Sequence, residues 1–172
     1  MKPNKVTNQR VHVNLDRLLV DLSNKDDLEI EELARKLYRD IYITSRGYGI
    51  HKTHDGEEVK FWESRFGHAF YKPKDWQTSG VKAVVDRPRI ERLKWIGEVI
   101  KGTVPNSACW LLRQNLTKRL YTVVPKGYVV WLEYTGENLW TFSSGYVTTP
   151  QQIHKYTRGE KLIWKFGQNK AP

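Results

Sequence analysis

Four polar residues of this 172-residue chain combine a side chain that can transfer a proton or hold a phosphate with a position from which it could act. His68 stands in the aromatic-flanked stretch Phe-Gly-His-Ala-Phe, and histidine is the side chain best suited to proton transfer near neutral pH. Ser144 and Tyr146 end a strand-like segment, where hydroxyl groups can orient a substrate. Arg119 begins another such segment, from which a guanidinium can hold a phosphate. Each residue also has a structural interpretation, as a core histidine, a strand-end hydroxyl or a surface cation.

The charge of the chain favours a polyanionic partner. Lysine and arginine number 29 against 19 acidic residues, which gives a net charge of +10. Nucleic-acid-binding proteins show such a balance, although a solvated basic surface gives the same count. Trp62 and Trp76 lie outside the apolar periodic segments and are predicted to line a ligand cleft, where aromatic rings stack on bases. RNA is the predicted partner, with DNA as the alternative.

Several classes of site lack their signature. Cys109 is the single cysteine, so the chain has no internal disulfide framework and no multi-cysteine zinc site. His51 and His54 form an H-x-x-H pair without further ligands at metal-binding spacing, and we predict no metal. Nucleophile-elbow, P-loop and dinucleotide motifs are also missing, so no cofactor is predicted.

The location of the protein is predicted from its apolar segments. The N-terminus lacks the uninterrupted apolar region of a signal peptide. No apolar run approaches the roughly 20 residues that a membrane-spanning helix needs. We therefore expect a cytoplasmic protein with no membrane partner.

The N-terminal half is predicted to contain two helices. Residues 1–27 are expected to form a partly disordered N-terminal segment, and residues 28–168 a single domain. Apolar residues at helical spacing predict a helix over Glu29–Asp40, capped by an aspartate at position 26 or 27. A second helix is predicted from Asp86 to Gly102, with a proline in its first turn.

The region between Tyr42 and Gly80 loses this periodicity and is punctuated by glycines. Pieces of strand are predicted around Ile41–Thr44 and Val59–Trp62. Because long irregular segments of compact domains are often functional, this region is a candidate wall of an active site.

The C-terminal half predicts an antiparallel sheet. Strand-like segments separated by turn signals are predicted at Ser107–Gln114, Arg119–Val124, Tyr128–Tyr134 and Leu139–Tyr146. A short helix over Pro150–Tyr156 and a last strand over Lys161–Phe166 follow. The segregation of helices before strands predicts an α+β fold.

Five segments in this order carry a family resemblance: Phe66–Phe70, Arg89–Ile96, Leu120–Tyr121, Tyr128–Glu133 and Phe142–Tyr146. Together they resemble the phage and prophage branch of the barnase, EndoU, colicin E5/D and RelE superfamily, the BECR-type nucleases. The resemblance spans about Val59–Phe166. It implies two N-terminal helices followed by a four-stranded antiparallel sheet, and a ribonuclease that needs no metal.

The resemblance also implies roles for particular residues. His68 matches the histidine of the aromatic-flanked motif, and Ser144 and Tyr146 match the hydroxyl residue and aromatic residue that end the third core strand. Where the family commonly has threonine before alanine and the aromatic residue, this chain has Ser144 and Gly145, and glycine would let a ligand backbone approach closely. Arg119 is chosen from its position on a strand, not from a motif.

The implied function is a phage- or prophage-encoded endoribonuclease, with a toxin role, whose attacking group is the ribose 2′-hydroxyl and whose product is a 2′,3′-cyclic phosphate. His68 would be the base or the acid, and Arg119 would stabilise the phosphate charge. The predicted substrate-binding residues are Arg113, Tyr121, Trp62, Trp76 and Ser143. An acidic immunity or antitoxin protein would complement the charge of the chain.

The alternative is a noncatalytic nucleic-acid-binding phage accessory protein with the same basic sheet. The catalytic interpretation requires His68 and Ser144 to face one cleft, and it fails if the fold holds them apart.

Overall fold

A computed structural model of the protein describes residues 12–44, 49–73, 82–114 and 116–168. These residues form a curled seven-stranded mixed sheet, a two-stranded sheet and five α-helices. No helix within the described ranges is long and apolar enough to cross a membrane.

Nine strands build the two sheets. In chain order they are β1 (Ile50–Lys52), β2 (Glu58–Lys60), β3 (Tyr71–Pro73), β4 (Lys82–Val85), β5 (Ser107–Leu111), β6 (Lys118–Val123), β7 (Tyr128–Gly136), β8 (Leu139–Val147) and β9 (Lys161–Lys165). The large sheet has the spatial order β1-β2-β8-β7-β6-β5-β9, and β3 pairs with β4 in the small one. All pairs are antiparallel except β2 with β8, which run parallel.

The five helices are α1 (Asp27–Tyr38), α2 (Phe66–Phe70), α3 (Arg87–Glu91), α4 (Trp95–Lys101) and α5 (Pro150–Thr157). The start of α1 is fixed by a capping box, in which the Asp26 side chain accepts from the Glu29 backbone and Glu29 accepts from the Asp26 backbone. At the start of α5, the Thr149 hydroxyl accepts a hydrogen bond from Gln152 N. The sequence signals for both starts are confirmed.

The two faces of the large sheet differ in what covers them. Helices α1 to α4 pack on the inner face, whose buried strand residues include Tyr121, Tyr128, Val130, Leu132 and Phe142. Fully burying side chains of this kind contributes about 1.5–3 kcal/mol each. On the opposite, outer face, α5 covers a smaller cluster of Leu120, Val129 and Ile153.

The predicted α+β fold with N-terminal helices before a four-stranded antiparallel sheet is wrong. The sheet has seven strands and is mixed, because the hairpin of β1 and β2 joins it alongside β8 in parallel. Both strands of this hairpin have three residues, which is too short for a period-two pattern to reveal their partner. Strands β1 to β4 also precede α3 and α4, so helices and strands are not segregated along the chain.

Tertiary contacts also change two local predictions. The expected strand at Ile41–Thr44 is wrong, since α1 continues as a wider helical turn over Arg39–Ile43. Tyr42 in this turn is buried, donates to Leu93 O at 2.8 Å and accepts from Gly97 N at 3.0 Å. The expected single helix from Asp86 to Gly102 is two helices, α3 and α4, separated by a short turn.

A candidate active-site cleft on the outer face

A cleft of 290 Å³ opens on the outer face where α2, whose apolar side packs into the inner-face core, contacts the part of β8 that lies beyond its pairing with β2. It is lined by His68, Lys118, Trp131, Leu132, Glu133, Ser143, Ser144 and Tyr146. We call this group the outer cleft. His68 and Ser144, which are distant in the sequence, lie on the same cleft, as the predicted site requires.

An irregularity between β7 and β8 forms the floor of the outer cleft. Trp131 pairs with Ser144, but the next residue, Leu132, pairs with Phe142, which leaves Ser143 as an extra residue in β8. Ser143 Oγ donates to Glu133 Oε1 at 3.4 Å. The bulge therefore brings two neighbouring serines to the cleft, where strict alternation would have placed them on opposite faces.

The wall of the cleft is α2, which presents His68. Phe66, Ala69 and Phe70 of this short helix are buried in the main core, whereas His68 is exposed. Arg89 joins this wall to the floor. Its Nη1 donates to Ala69 O at 3.0 Å, and its guanidinium carbon lies 5.0 Å from the centre of the Tyr146 ring.

Three charged residues at the cleft received no functional role from the sequence. Lys118 and Glu133 line it, and they stand directly opposite each other on β6 and β7. Arg65, three residues before His68, places Nη2 3.5 Å from Glu133 Oε2. The available signal was Glu133 itself, a carboxylate that interrupts an apolar strand and shares a face with Trp131 by period two.

Tyr146 is held as a neutral phenol. Its hydroxyl accepts from Trp131 Nε1 at 3.1 Å and donates to the Tyr156 hydroxyl at 3.3 Å. Burial, together with the Tyr156 contact, raises the pKa of Tyr146 to about 12. Since its proton is already engaged, this residue is suited to fixing the floor of the cleft and not to giving a proton to a substrate.

Arg119 lies on the inner face, away from the outer cleft. Its guanidinium donates to Asp55 Oδ1 at 3.2 Å and Oδ2 at 3.1 Å, and it lies 2.9 Å from Glu57 Oε2. It also stacks over the Trp140 ring at 4.5 Å. Period two correctly groups Arg119 with Tyr121, but that face is closed by the turn between β1 and β2.

The remaining predicted residues are scattered. Tyr121 is fully buried, with its hydroxyl 2.8 Å from His54 Nδ1. Arg113 is exposed after β5, where its backbone nitrogen donates to the Glu160 carboxylate. Trp62 is 48% exposed, two residues after the end of β2. Trp76 lies outside the described residues.

Gly145 serves the core. A Cβ atom at this position would lie 2.8 Å from the Tyr128 hydroxyl and 3.4 Å from Ile96 Cγ1. Packing of the inner face therefore requires the glycine, and close approach of a ligand backbone to Gly145 stays a prediction.

Within the described parts of the chain, no three His, Cys, Asp or Glu side chains are grouped as a metal site would need. The Nε2 atom of His51 lies 3.2 Å from Tyr42 O, and His54 belongs to the buried contact with Tyr121. Comparisons with known proteins give no relative: no protein-family model, no curated protein and no solved structure matches this chain.

Proposed function

We propose that the protein is an endoribonuclease whose active site is the outer cleft. The observation that carries the proposal is the convergence of a histidine, a carboxylate and a lysine on one small cleft, beside two serine hydroxyls. These groups are the acid, base and cation that phosphodiester transesterification requires. The net charge of +10 and the family resemblance support RNA as the substrate.

The proposed reaction begins at Glu133, whose carboxylate accepts the proton of the ribose 2′-hydroxyl. The 2′-oxygen then attacks phosphorus and the bond from phosphorus to the 5′-oxygen breaks. His68, in its protonated form, gives a proton to that leaving oxygen. The products are a 2′,3′-cyclic phosphate and a 5′-hydroxyl, and atoms and charges balance without an added reactant.

Cations and hydroxyls act on the phosphate in this scheme. Lys118 offsets the negative charge that develops on the phosphorane, and Ser144 donates to one of its oxygens. Lys118 takes the role that the sequence suggested for Arg119, which is committed to two carboxylates on the other face. The proposal requires no metal, because side chains supply both proton transfers and the compensating charge.

The test is cleavage of total RNA by the purified protein in the presence of EDTA. We expect fragments that end in 2′,3′-cyclic phosphate and begin with 5′-hydroxyl groups. The matched control is Tyr134→Phe, because this tyrosine lies on the same strand as Glu133 but not at the cleft. Cleavage by Tyr134→Phe but not by His68→Ala supports the proposal.

Binding of RNA without any cleavage would instead favour the noncatalytic alternative. Salt sensitivity cannot separate the two functions, since both depend on phosphate contacts. An acidic inhibitor protein that covers Lys118 and Arg65 remains part of the proposal, because opposite charge would steer such a partner to the cleft. The phage and toxin context depends on the resemblance alone and stays a prediction.

A further inference from the structure

Trp62 is an exposed aromatic residue that the proposed chemistry does not use. Nearly half of it, 48%, is open to solvent, and the ammonium of Lys60 lies 5.2 Å from the centre of its ring. A single exposed apolar side chain is common on protein surfaces, so the informative observation is that the exposed ring is paired with a cation. An exposed indole with a neighbouring cation suits a base and the phosphate attached to it.

The register of the sheet places Trp62 beside the outer cleft. Lys60 pairs with Thr141 on β8, Thr141 pairs with Glu133 on β7, and Glu133 pairs with Lys118 on β6. Paired residues share a face, so this row of four crosses the outer face from β2 to the cleft. Adjacent strands lie about 4.8 Å apart, which puts the backbone of Lys60 about 10 Å from that of Glu133.

The two residues that follow β2 continue its alternation between the inner and outer faces. Val59 and Phe61 are buried in the main core, and the Phe61 ring stacks on Phe142 at 4.9 Å. Because Trp62 has an extended backbone and follows Phe61, its side chain points to the opposite, outer side. It therefore lies beside the part of β8 that continues into Ser143.

We infer that Trp62 and Lys60 form a further nucleotide subsite, on which the base one position beyond the two nucleotides that flank the cleaved bond stacks. This inference rests on the proposed function for the identity of the bond. The substrate class is then RNA longer than a dinucleotide, held by the cleft at the two nucleotides that flank the cleaved bond and by Trp62 at the next one. This subsite should accept any of the four bases, since every base offers a face for stacking.

The test uses chimeric oligonucleotides with one ribonucleotide in a deoxynucleotide chain, so that each has a single cleavable bond. One substrate is a dinucleotide, and two others are extended on the 5′ or the 3′ side. For Trp62→Ala we expect KM to rise about tenfold on one extended substrate, within the range of one lost base stack. Cleavage of the dinucleotide should be unchanged, and Trp62→Phe should stay close to wild type.

Equal effects of Trp62→Ala on the dinucleotide and on both extended substrates, or no effect on any of them, would overturn the subsite. A second arm does not depend on cleavage: binding of 2′-O-methyl RNA, which lacks the attacking hydroxyl, followed by fluorescence anisotropy. Trp62→Ala should weaken this binding about tenfold, and Trp62→Phe should preserve it.

The two arms separate the two proposals. If the wild type cleaves no RNA but Trp62→Ala binds 2′-O-methyl RNA more weakly than the wild type, the subsite stands and the ribonuclease is rejected. Cleavage by the wild type with no dependence on substrate length would keep the ribonuclease and reject the subsite. A wild type that neither binds nor cleaves would reject both.

Discussion

Lys118 and Arg119 are consecutive cations on β6, and their side chains enter different environments. Lys118 lines the outer cleft opposite Glu133, whereas Arg119 is 7% exposed and is paired with Asp55 and Glu57. One residue of sequence separates a cation that is open to a ligand from one that holds the fold. The difference arises because successive side chains of a strand point to opposite faces, and the two faces are covered by different elements.

The inner-face cation fixes a loop. Asp55 and Glu57 belong to the turn between β1 and β2, so their contacts with Arg119 hold that hairpin against the inner face of the sheet. Burial raises the pKa of the Asp55 carboxyl, but hydrogen bonds from Thr53 and Arg119 outweigh burial and hold that pKa below its usual range. We therefore expect the inner face to govern stability and the outer face to govern activity.

The largest expected effect tests the outer face. His68→Ala should lower the rate of RNA cleavage by about two to four powers of ten, the usual contribution of a proton-transfer group. Because His68 is exposed, the free energy of unfolding of the His68→Ala variant should stay close to that of the wild type. Single-turnover cleavage assays and urea unfolding of the same preparations measure both. Unchanged cleavage would remove His68 from the mechanism.

The next effect tests the inner face. Arg119→Ala should lower the free energy of unfolding by about 3 kcal/mol, the low end of the cost of breaking a buried ion pair, because Asp55 is left with a largely buried charge while Glu57 is partly solvated. Lys118→Ala is the matched control and should stay within about 0.5 kcal/mol of wild type. Urea unfolding monitored by tryptophan fluorescence measures this. Equal destabilisation by the two variants would contradict the division between the faces.

Lys118→Ala should instead lower the rate of cleavage. Removing one preorganised group that stabilises transition-state charge costs about 100-fold or more in enzymes that depend on such a group. The measurement is kcat with a single-site oligonucleotide substrate, and Lys118→Arg should recover part of the loss. If kcat were unaffected while KM rose, Lys118 would bind the substrate without acting on the transition state.

The smallest effect is a change of stability with pH. Asp55 has a lowered pKa in the folded protein, so its contribution is present above its ordinary pKa of 3.8 and is lost as pH falls through the folded value. As pH is lowered below 4, the urea midpoint of Asp55→Asn should therefore fall less steeply than the midpoint of the wild type. Parallel pH dependence of the two proteins would mean that Asp55 is not stabilised as the structure implies.

Local signals predicted much of the C-terminal half. Turn residues and alternating apolar positions gave the strands β5 to β9 within a few residues, and Thr149 with Pro150 gave α5. These elements are defined by neighbours in sequence, which is why composition and period were sufficient. The parallel pairing of β2 with β8 joins segments about 80 residues apart and leaves no local pattern.

The candidate site divides in the same way. His68, Ser143, Ser144 and Tyr146 were predicted and share the outer cleft, whereas Lys118 and Glu133 were assigned no role in it. Period two separates Lys118 from Arg119, but it does not say which face remains open. That depends on where four helices and one turn pack, and on a bulge that brings Ser143 and Ser144 to the same cleft.

The most direct test of the central claim is the pH profile of kcat/KM for RNA cleavage by wild type, Glu133→Gln and His68→Ala. A site that uses a carboxylate base and an imidazolium acid gives a bell-shaped profile. We predict that the pH profile of the residual activity lacks the acidic limb in Glu133→Gln and lacks the alkaline limb in His68→Ala. Two variants that keep both limbs and the wild-type rate would contradict the account, because the outer cleft would then not be where the chemistry takes place.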